Sequence, residues 1–439
     1  MFAHDTESVA NNNLLIKNFW GSSVVIIFMV IALLAGSKSH AAEPLSLDEA
    51  VAAAIKNHPQ IVEARSNLTG AEARMGQALA NYYPQISFAA DWSKGRSFFT
   101  AQESIKQTEV STEALYLKQT IYDFGRTSGA VDASRGNREA ADKTLTITRQ
   151  DLALRVKGAF YLLIATEKQV VAVRENVRAR DEIFRQAQEF FNQGIKAKVD
   201  VARAEAILFA AKTSLIRAEN NREIARIELA NAMGIASLGE RVLVEPSSAL
   251  LPLPERVSSL QAALRTRAEL QQFAALKSAA SGNLMSAKSS YLPILSGAAS
   301  IGYADRDFPP TGNVWGVGLN LTIPLFSGFS SLEQVRETTA TINSIEARQN
   351  NLKLQIIKEV ESAWLDGNEA AARMVSTQKE ITAANESKSL AEGRYQEGVG
   401  SIIEVTDAQS QALGAKTSNI QAMFDYYTAL ARLDRAVGK

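Results

Sequence analysis

The sequence predicts an α+β membrane protein in which long antiparallel α-helical hairpins are joined to four transmembrane β-strands, built as an internal tandem repeat. Three observations carry that prediction. The chain repeats itself at a nearly constant offset, its prolines are confined to short windows, and four runs alternate apolar with polar residues.

The repeat sets the organisation. Pro59 aligns with Ala268 and Pro84 with Pro293 at an offset of 209 residues; Gly125 aligns with Gly328 at 203. From Ala159 and Ala363, through Gly194 and Gly398, to Gly234 and Gly438, the offset is 204. A unit this long is no solenoid repeat, and two copies imply a pseudo-symmetric object in which neither half need be complete alone. The expected division is a signal peptide at 1–41, a first repeat at 42–245, a proline-rich linker at 246–256 and a second repeat at 257–439.

The leader has an apolar centre at 24–35 and a small-residue exit at 37–43. Ser39 and Ala41 stand as they would before a cut after Ala41, which is the pattern of a secretory signal. The rival reading is a retained membrane helix, because Phe19 to Gly36 is 18 residues, the lower edge of a span. The short apolar centre favours the signal peptide.

All ten prolines lie within 44–84, 246–254 and 293–310 or at 324. Tracts without proline permit very long helices. One is expected from Arg126 to Gln193, where Val170, Val173, Val177, Phe184, Ala187 and Phe191 follow a coiled-coil-like spacing. Gly194 and Gly398 then break the long helices, and second helices return over Val199 to Met233 and Ile402 to Val437. Each half should contain an αα-hairpin with a glycine tip.

The strands follow from period-2 patterning. In 85–93, Ile86, Phe88, Ala90 and Trp92 alternate with polar or small residues; in 314–323, Trp315, Val317, Leu319 and Leu321 do the same. The runs 113–122 and 294–303 are weaker versions. Such lengths suit tilted transmembrane strands with one lipid face, on which Phe88, Trp92, Trp315, Val317 and Leu319 are expected to lie. An ordinary soluble hairpin is the bland alternative, but the glycine, serine and asparagine face fits a wet lumen better than a packed core. Four strands cannot close a barrel, and lipid does not tolerate open edges. Two chains would give eight strands with a filled lumen, whereas three give twelve with an opening. The expected assembly is therefore a homotrimer sharing a twelve-stranded barrel in lipid.

Composition excludes several classes. Basic and acidic residues both total 47, so the formal charge is zero and there is no electrostatic footprint for nucleic acid. The chain has no cysteine and only three histidines, His4, His40 and His58. With no nucleotide-binding loop and no ligand spacing, neither an enzyme nor a metal nor a cofactor is expected.

Several motifs occur in order and in both halves. They are LSLDEAVAAAIKNHPQI (45–61), YYPQIS (82–87) with YLPILS (291–296), and QTIYDFGR (119–126) with LTIPLFSG (321–328). FFNQGIKAKVDVARAEA (190–206) pairs with RYQEGVGSIIEVTDAQS (394–410). In these the chain resembles the outer-membrane efflux protein family (TolC-like). The resemblance implies an outer-membrane barrel continuous with an α-helical tunnel reaching into the periplasm. It further implies a passive exit duct of a tripartite efflux or type I secretion system, working with a periplasmic adaptor and an inner-membrane pump or ABC exporter. By the same resemblance Asp200, Glu404, Asp407 and Tyr395 form the channel constriction, and Phe191, Gly194, Ile195, Gly398 and Val399 form adaptor-docking tips. Position alone also allows Asp200 and Glu404 to be acids complementing helix N-termini. Gly400 departs from the pattern: it stands where a basic residue would reach the first-copy acid, so that latch is expected to be missing. The competing function is a periplasmic coiled-coil structural or adaptor protein with no channel, which has no use for four apolar-faced strands. The exported cargo is not legible.

Overall fold

Proline windows and glycine stops translate into element boundaries. The structure, a computed structural model, describes residues 44–99, 104–245 and 252–439; the expected signal peptide and residues 246–251 of the expected linker lie outside them. The first half contains α1 (Leu47–Asn57), α2 (Pro59–Leu79), β2 (Gln85–Phe99), β3 (Ser104–Tyr122), α3 (Arg126–Asn192) and α4 (Lys198–Met233). The second contains α5 (Arg256–Thr266), α6 (Ala268–Lys288), β5 (Ile294–Asp305), β6 (Gly312–Thr322), α7 (Ser330–Gln396) and α8 (Ile402–Ala436). The four helices of each half measure 11, 21, 67 and 36 residues in the first and 11, 21, 67 and 35 in the second.

The described residues fall into two units. In the smaller, β1 (Pro44–Leu45) and β4 (Val242–Leu243) form a short parallel pair. The larger holds all the other elements.

Local chemistry starts the helices. Ser46 and Glu49 form a reciprocal capping box on α1, satisfying two backbone donors that a helix start leaves open. His58 caps α2 by accepting from the Gln60 amide through Nδ1 at 3.2 Å, with Pro59 in the first turn. Asp123 accepts from the amides of Gly125 and Thr127 where α3 begins. From there α3 runs 67 residues without a break, on the order of 100 Å at 1.5 Å per residue.

Small residues let the helices approach. A Cβ on Gly129 would lie 2.6 Å from the Gly282 carbonyl oxygen, so α3 and α6 touch backbone to backbone. Further along α3, Leu152, Val156, Phe160 and Leu163 are fully buried, as are Tyr426 and Leu433 of α8. Tyr161 stacks on Tyr427 with centroids 5.1 Å apart. Burial, with smaller contributions from neighbouring Tyr427, Asp434 and Asp48, pushes the Tyr161 hydroxyl up to about 12. Nearby, Arg435 of α8 pairs with Asp151 of α3 at 2.7 Å and with Glu269 of α6 at 2.5 Å. Arg267 binds Glu269 and Glu359 of α7 and donates to the Ala436 carbonyl. One buried ionic cluster thus ties four helices.

The four longer strands form one antiparallel sheet in the order β2-β3-β5-β6. Its register aligns Phe88, Leu115, Ile301 and Trp315 across all four strands, and next to them Ile86, Leu117, Ala299 and Val317. The opposite face carries Ser87, Tyr116, Ser300 and Gly316 in one row and Thr120, Ser296 and Asn320 in another. The first hairpin departs from expectation: β2 and β3 extend to 15 and 19 residues, well past the alternating runs at 85–93 and 113–122. The extension is held by cross-strand pairing, including Lys94 with Glu109 at 2.7 Å, which periodicity of a single strand does not reveal. Among the described residues no helix is long and apolar enough to cross a membrane.

Candidate functional site

The site is built where the two long hairpins end. Both turns close the same way: Gly194 and Ile195 donate to the carbonyls of Phe191 and Phe190, and Gly398 and Val399 donate to those of Tyr395 and Arg394. Each glycine takes a left-handed conformation, φ +74° at Gly194 and +76° at Gly398. Such a closure satisfies carbonyls that a helix end would otherwise leave open. A side chain at either position would meet no atom within 4 Å, so backbone geometry and not crowding calls for glycine there.

The two hairpin ends pack on one another. Ile183 and Ala187 of α3, Ala204 of α4, Ala391 and Tyr395 of α7, and Ile402, Val405 and Ala408 of α8 form a single buried cluster. Tyr395 is 0% exposed in its centre, edge-on to Phe190 at 5.7 Å. Within the single chain, the residue expected at the constriction thus packs between helices of the two hairpins. The reason is the pairing of the two tips, which puts an aromatic ring from each half into one core. Burial, and secondarily the charge of Asp200, raises the Tyr395 hydroxyl above its ordinary pKa. That hydroxyl is buried without a hydrogen bond.

The acids lie near the starts of the returning helices. Asp200 is half-buried in the first turn of α4, while Glu404 is exposed in that of α8 and Asp407 is exposed three residues on. That spacing places Glu404 and Asp407 on a common face of α8. Glu404 is not a free anion, because Arg394 of the same hairpin approaches it at 3.5 Å. Both partners are solvent-exposed, so this pair contributes about 1 kcal/mol or less.

The tips present apolar groups to solvent. Phe191, Ile195 and Val399 are exposed, and Val199 and Ile403 join them; the last two read from sequence only as ordinary helix-start residues. Patterning also passed over the basic residues of this region. Lys196 donates to the Gly400 carbonyl, and buried Arg180 of α3 donates to Thr406 and Ser410 of α8. Far from the tips, Trp315, Val317 and Leu319 are each at least 75% exposed, and Phe88 and Trp92 are exposed with them. An apolar face so open, on a sheet whose two edges are unpaired among the described residues, requires a covering medium or partner. Among the described residues no acidic or histidine cluster could hold a metal ion.

Comparison with known proteins shows the family. The family model for outer membrane efflux proteins matches residues 50–235 and 259–439. The chain is 25% identical over 417 residues to the protein CyaE of Bordetella pertussis, covering 90% of this chain and 85% of that protein. It is 22% identical over 429 residues to the outer membrane protein TolC of Vibrio cholerae, covering 94% of each. The solved outer-membrane channel OprN superimposes with a TM-score of 0.81 at 20% identity, over 89% of both chains.

Proposed function

From the premise that this chain belongs to the outer membrane efflux protein family, a family of channels and not of enzymes, we propose that it is the trimeric exit duct of a tripartite efflux or type I secretion system. Three copies complete a twelve-stranded barrel in the outer membrane, and the helical hairpins continue it as a tunnel into the periplasm. The tips, with Phe191, Ile195 and Val399 outermost, meet a periplasmic adaptor that links the duct to an inner-membrane pump or ABC exporter. Asp200, Glu404 and Asp407 gather around the three-fold axis as the gate, where a ring of carboxylates favours cations.

The observation that carries this reading is the sheet. Its outer strands β2 and β6 each keep one unpaired edge among the described residues, and one face is a continuous apolar surface from Phe88 to Trp315. Pairing β6 of one copy with β2 of the next removes the edges and turns that surface to lipid. A coiled-coil adaptor without a channel would have no need of it. Detergent-resistant, heat-dissociable trimers that conduct ions in planar bilayers are the expected result; a monomer without conductance overturns the proposal.

A further inference from the structure

Arg180 lies on α3 about four turns before the tip glycine, inside the packing of α3 on α8, and is only 5% exposed. Its Nη2 donates to the Thr406 carbonyl at 3.0 Å and to the Ser410 hydroxyl at 2.8 Å. Ser410 in turn donates to the Thr406 carbonyl at 2.8 Å. The other two guanidinium nitrogens, Nε and Nη1, are buried and make no hydrogen bond.

Among the described residues no carboxylate pairs with it directly. Glu392 of α7 is engaged by Gln409 at 2.6 Å and approached by Lys388 at 3.8 Å, and Asp407 is exposed on α8 between the two residues that Arg180 holds. Burial lowers the guanidinium's pKa, while the charges of Asp407 and Glu392 oppose that. Arginine nevertheless stays a cation in proteins. A buried cation without a direct ion pair stabilises a core less than an apolar residue of similar volume would. Stability of the packing therefore does not account for it.

The two halves differ at this point. The residue aligned with Arg180 in the second half is Ala384, and those aligned with Thr406, Asp407 and Ser410 in the first are Ala202, Arg203 and Ala206. The cation and its acceptors therefore have no counterpart at the matching positions of the other half, and they lie where α3 packs on the helix that carries the paired acids.

We propose that Arg180 is a positioning residue of the gate: from α3 it grips the first turns of α8 and sets where Asp407 and Glu404 project. This rests on the reading of the hairpin ends as the gate. Thr406 and Ser410 flank Asp407 on α8, so turning this part of α8 away from α3 breaks the bonds that Arg180 makes.

The test uses the full-length chain in planar bilayers, with trimer yield as the control for assembly. Arg180→Met should give a several-fold rise in resting open probability and weakened block by a multivalent cation such as hexamminecobalt. Arg180→Lys, which keeps the charge but not the fork, should lie between Met and the native chain, and it decides the matter if the Met variant fails to assemble. Asp407→Asn should weaken block in the native background and add little to it in the Arg180→Met background, since coupled residues are non-additive. Native gating and native block in an assembled Arg180 variant, or full additivity with Asp407→Asn, overturns the proposal. Should Glu404→Gln with Asp407→Asn abolish block while the Arg180 variants change nothing, the gate reading stands and only the role of Arg180 falls. Should that double substitution leave block unchanged in the native background, the gate reading falls and the role of Arg180 with it.

Discussion

The ammonium of Lys196 donates to the carbonyl oxygen of Gly400 at 3.1 Å, and the two residues hold the same place in the two halves, 204 positions apart. A Cβ at Gly400 would lie 2.8 Å from the Tyr395 nitrogen and 2.9 Å from the Arg394 carbonyl carbon. Both are backbone atoms, so the turn as folded admits no side chain there. Lys196 thus ties the two tips together through a backbone carbonyl, within one chain.

Lys196→Met should loosen the tips by about 1 kcal/mol, the net worth of a partly exposed hydrogen bond. Gly400→Ala should cost about 1–3 kcal/mol, because backbone must shift to accept the new methyl. Limited proteolysis of assembled trimers reads both as faster cleavage near the tips. Unchanged cleavage in the Gly400 variant would mean that the turn relaxes freely.

Charge on the apolar face of the sheet should block assembly. Trp315→Arg and Leu319→Arg each place a guanidinium toward lipid, at about 2–4 kcal/mol near the bilayer midplane. Asn320 aligns with Ser296 and Thr120 on the opposite face, so Asn320→Arg should assemble and shift ion selectivity. Equal trimer yields for the two sets would contradict the membrane assignment of the sheet.

What the sequence disclosed, and what it did not, divides by the range of the interactions. Helix ends at Gly194, Gly234 and Gly398 and the strand faces around Phe88 and Trp315 are local signals, and the paired motifs identify the family. Features that need the two halves brought together stayed hidden. Tyr395 reads by resemblance as a constriction residue, and nothing local foretells its edge-on contact with Phe190 of the other half. Arg180 and Lys196 read as solvated charges on a helix surface, because their acceptors, Thr406, Ser410 and Gly400, are more than 200 residues away. Likewise, Lys94 and Glu109 look like loop residues until each is paired across the hairpin.

The tip glycines separate docking from assembly. Gly194→Val or Gly398→Val forces a β-branched residue into the left-handed region, at about 1–2 kcal/mol or more per residue. With no atom within 4 Å of either position, the strain stays in the turn. Trimers should reach the outer membrane while export falls steeply. Full export in both variants would remove the tips from the contact surface.

The buried ionic cluster makes stability depend on acid pH. Burial alone would raise the Glu269 carboxyl. The hydrogen bonds from Arg435 and from its own amide, with the charges of Arg435 and Arg267, instead hold it below the usual carboxylate range. A carboxyl depressed in the fold contributes stability that is present above its unfolded pKa, about 4.3, and is lost as pH falls through the folded value. Glu269→Gln should therefore lower the melting temperature at neutral pH and flatten the loss of stability seen below about pH 4.3. Arg435→Met should cost about 3–5 kcal/mol by leaving Glu269 partly unpaired. Circular dichroism melts across pH check both, and an unaltered acid limb in the Glu269 variant would assign that limb to other carboxylates.

The gate acids make the sharpest electrical prediction. Glu404 and Asp407 share a face of α8, yet Arg394 lies 3.5 Å from Glu404, so part of its charge is already offset within the chain. Replacing Arg394 with alanine should strengthen cation selectivity and cation block, because it uncovers Glu404 without touching the buried packing around Tyr395. Glu404→Ala with Asp407→Ala should do the reverse, weakening both while trimer yield is unchanged, since neither side chain is buried. An exposed pair contributes at most about 1 kcal/mol, so the Arg394 effect should be a few-fold and should fade as ionic strength shortens the range of the charges. Opposite shifts from the two variants place these carboxylates at the narrowest point of the conducting path. Selectivity and block that stay at native levels in the double alanine variant would put the constriction elsewhere along the helices.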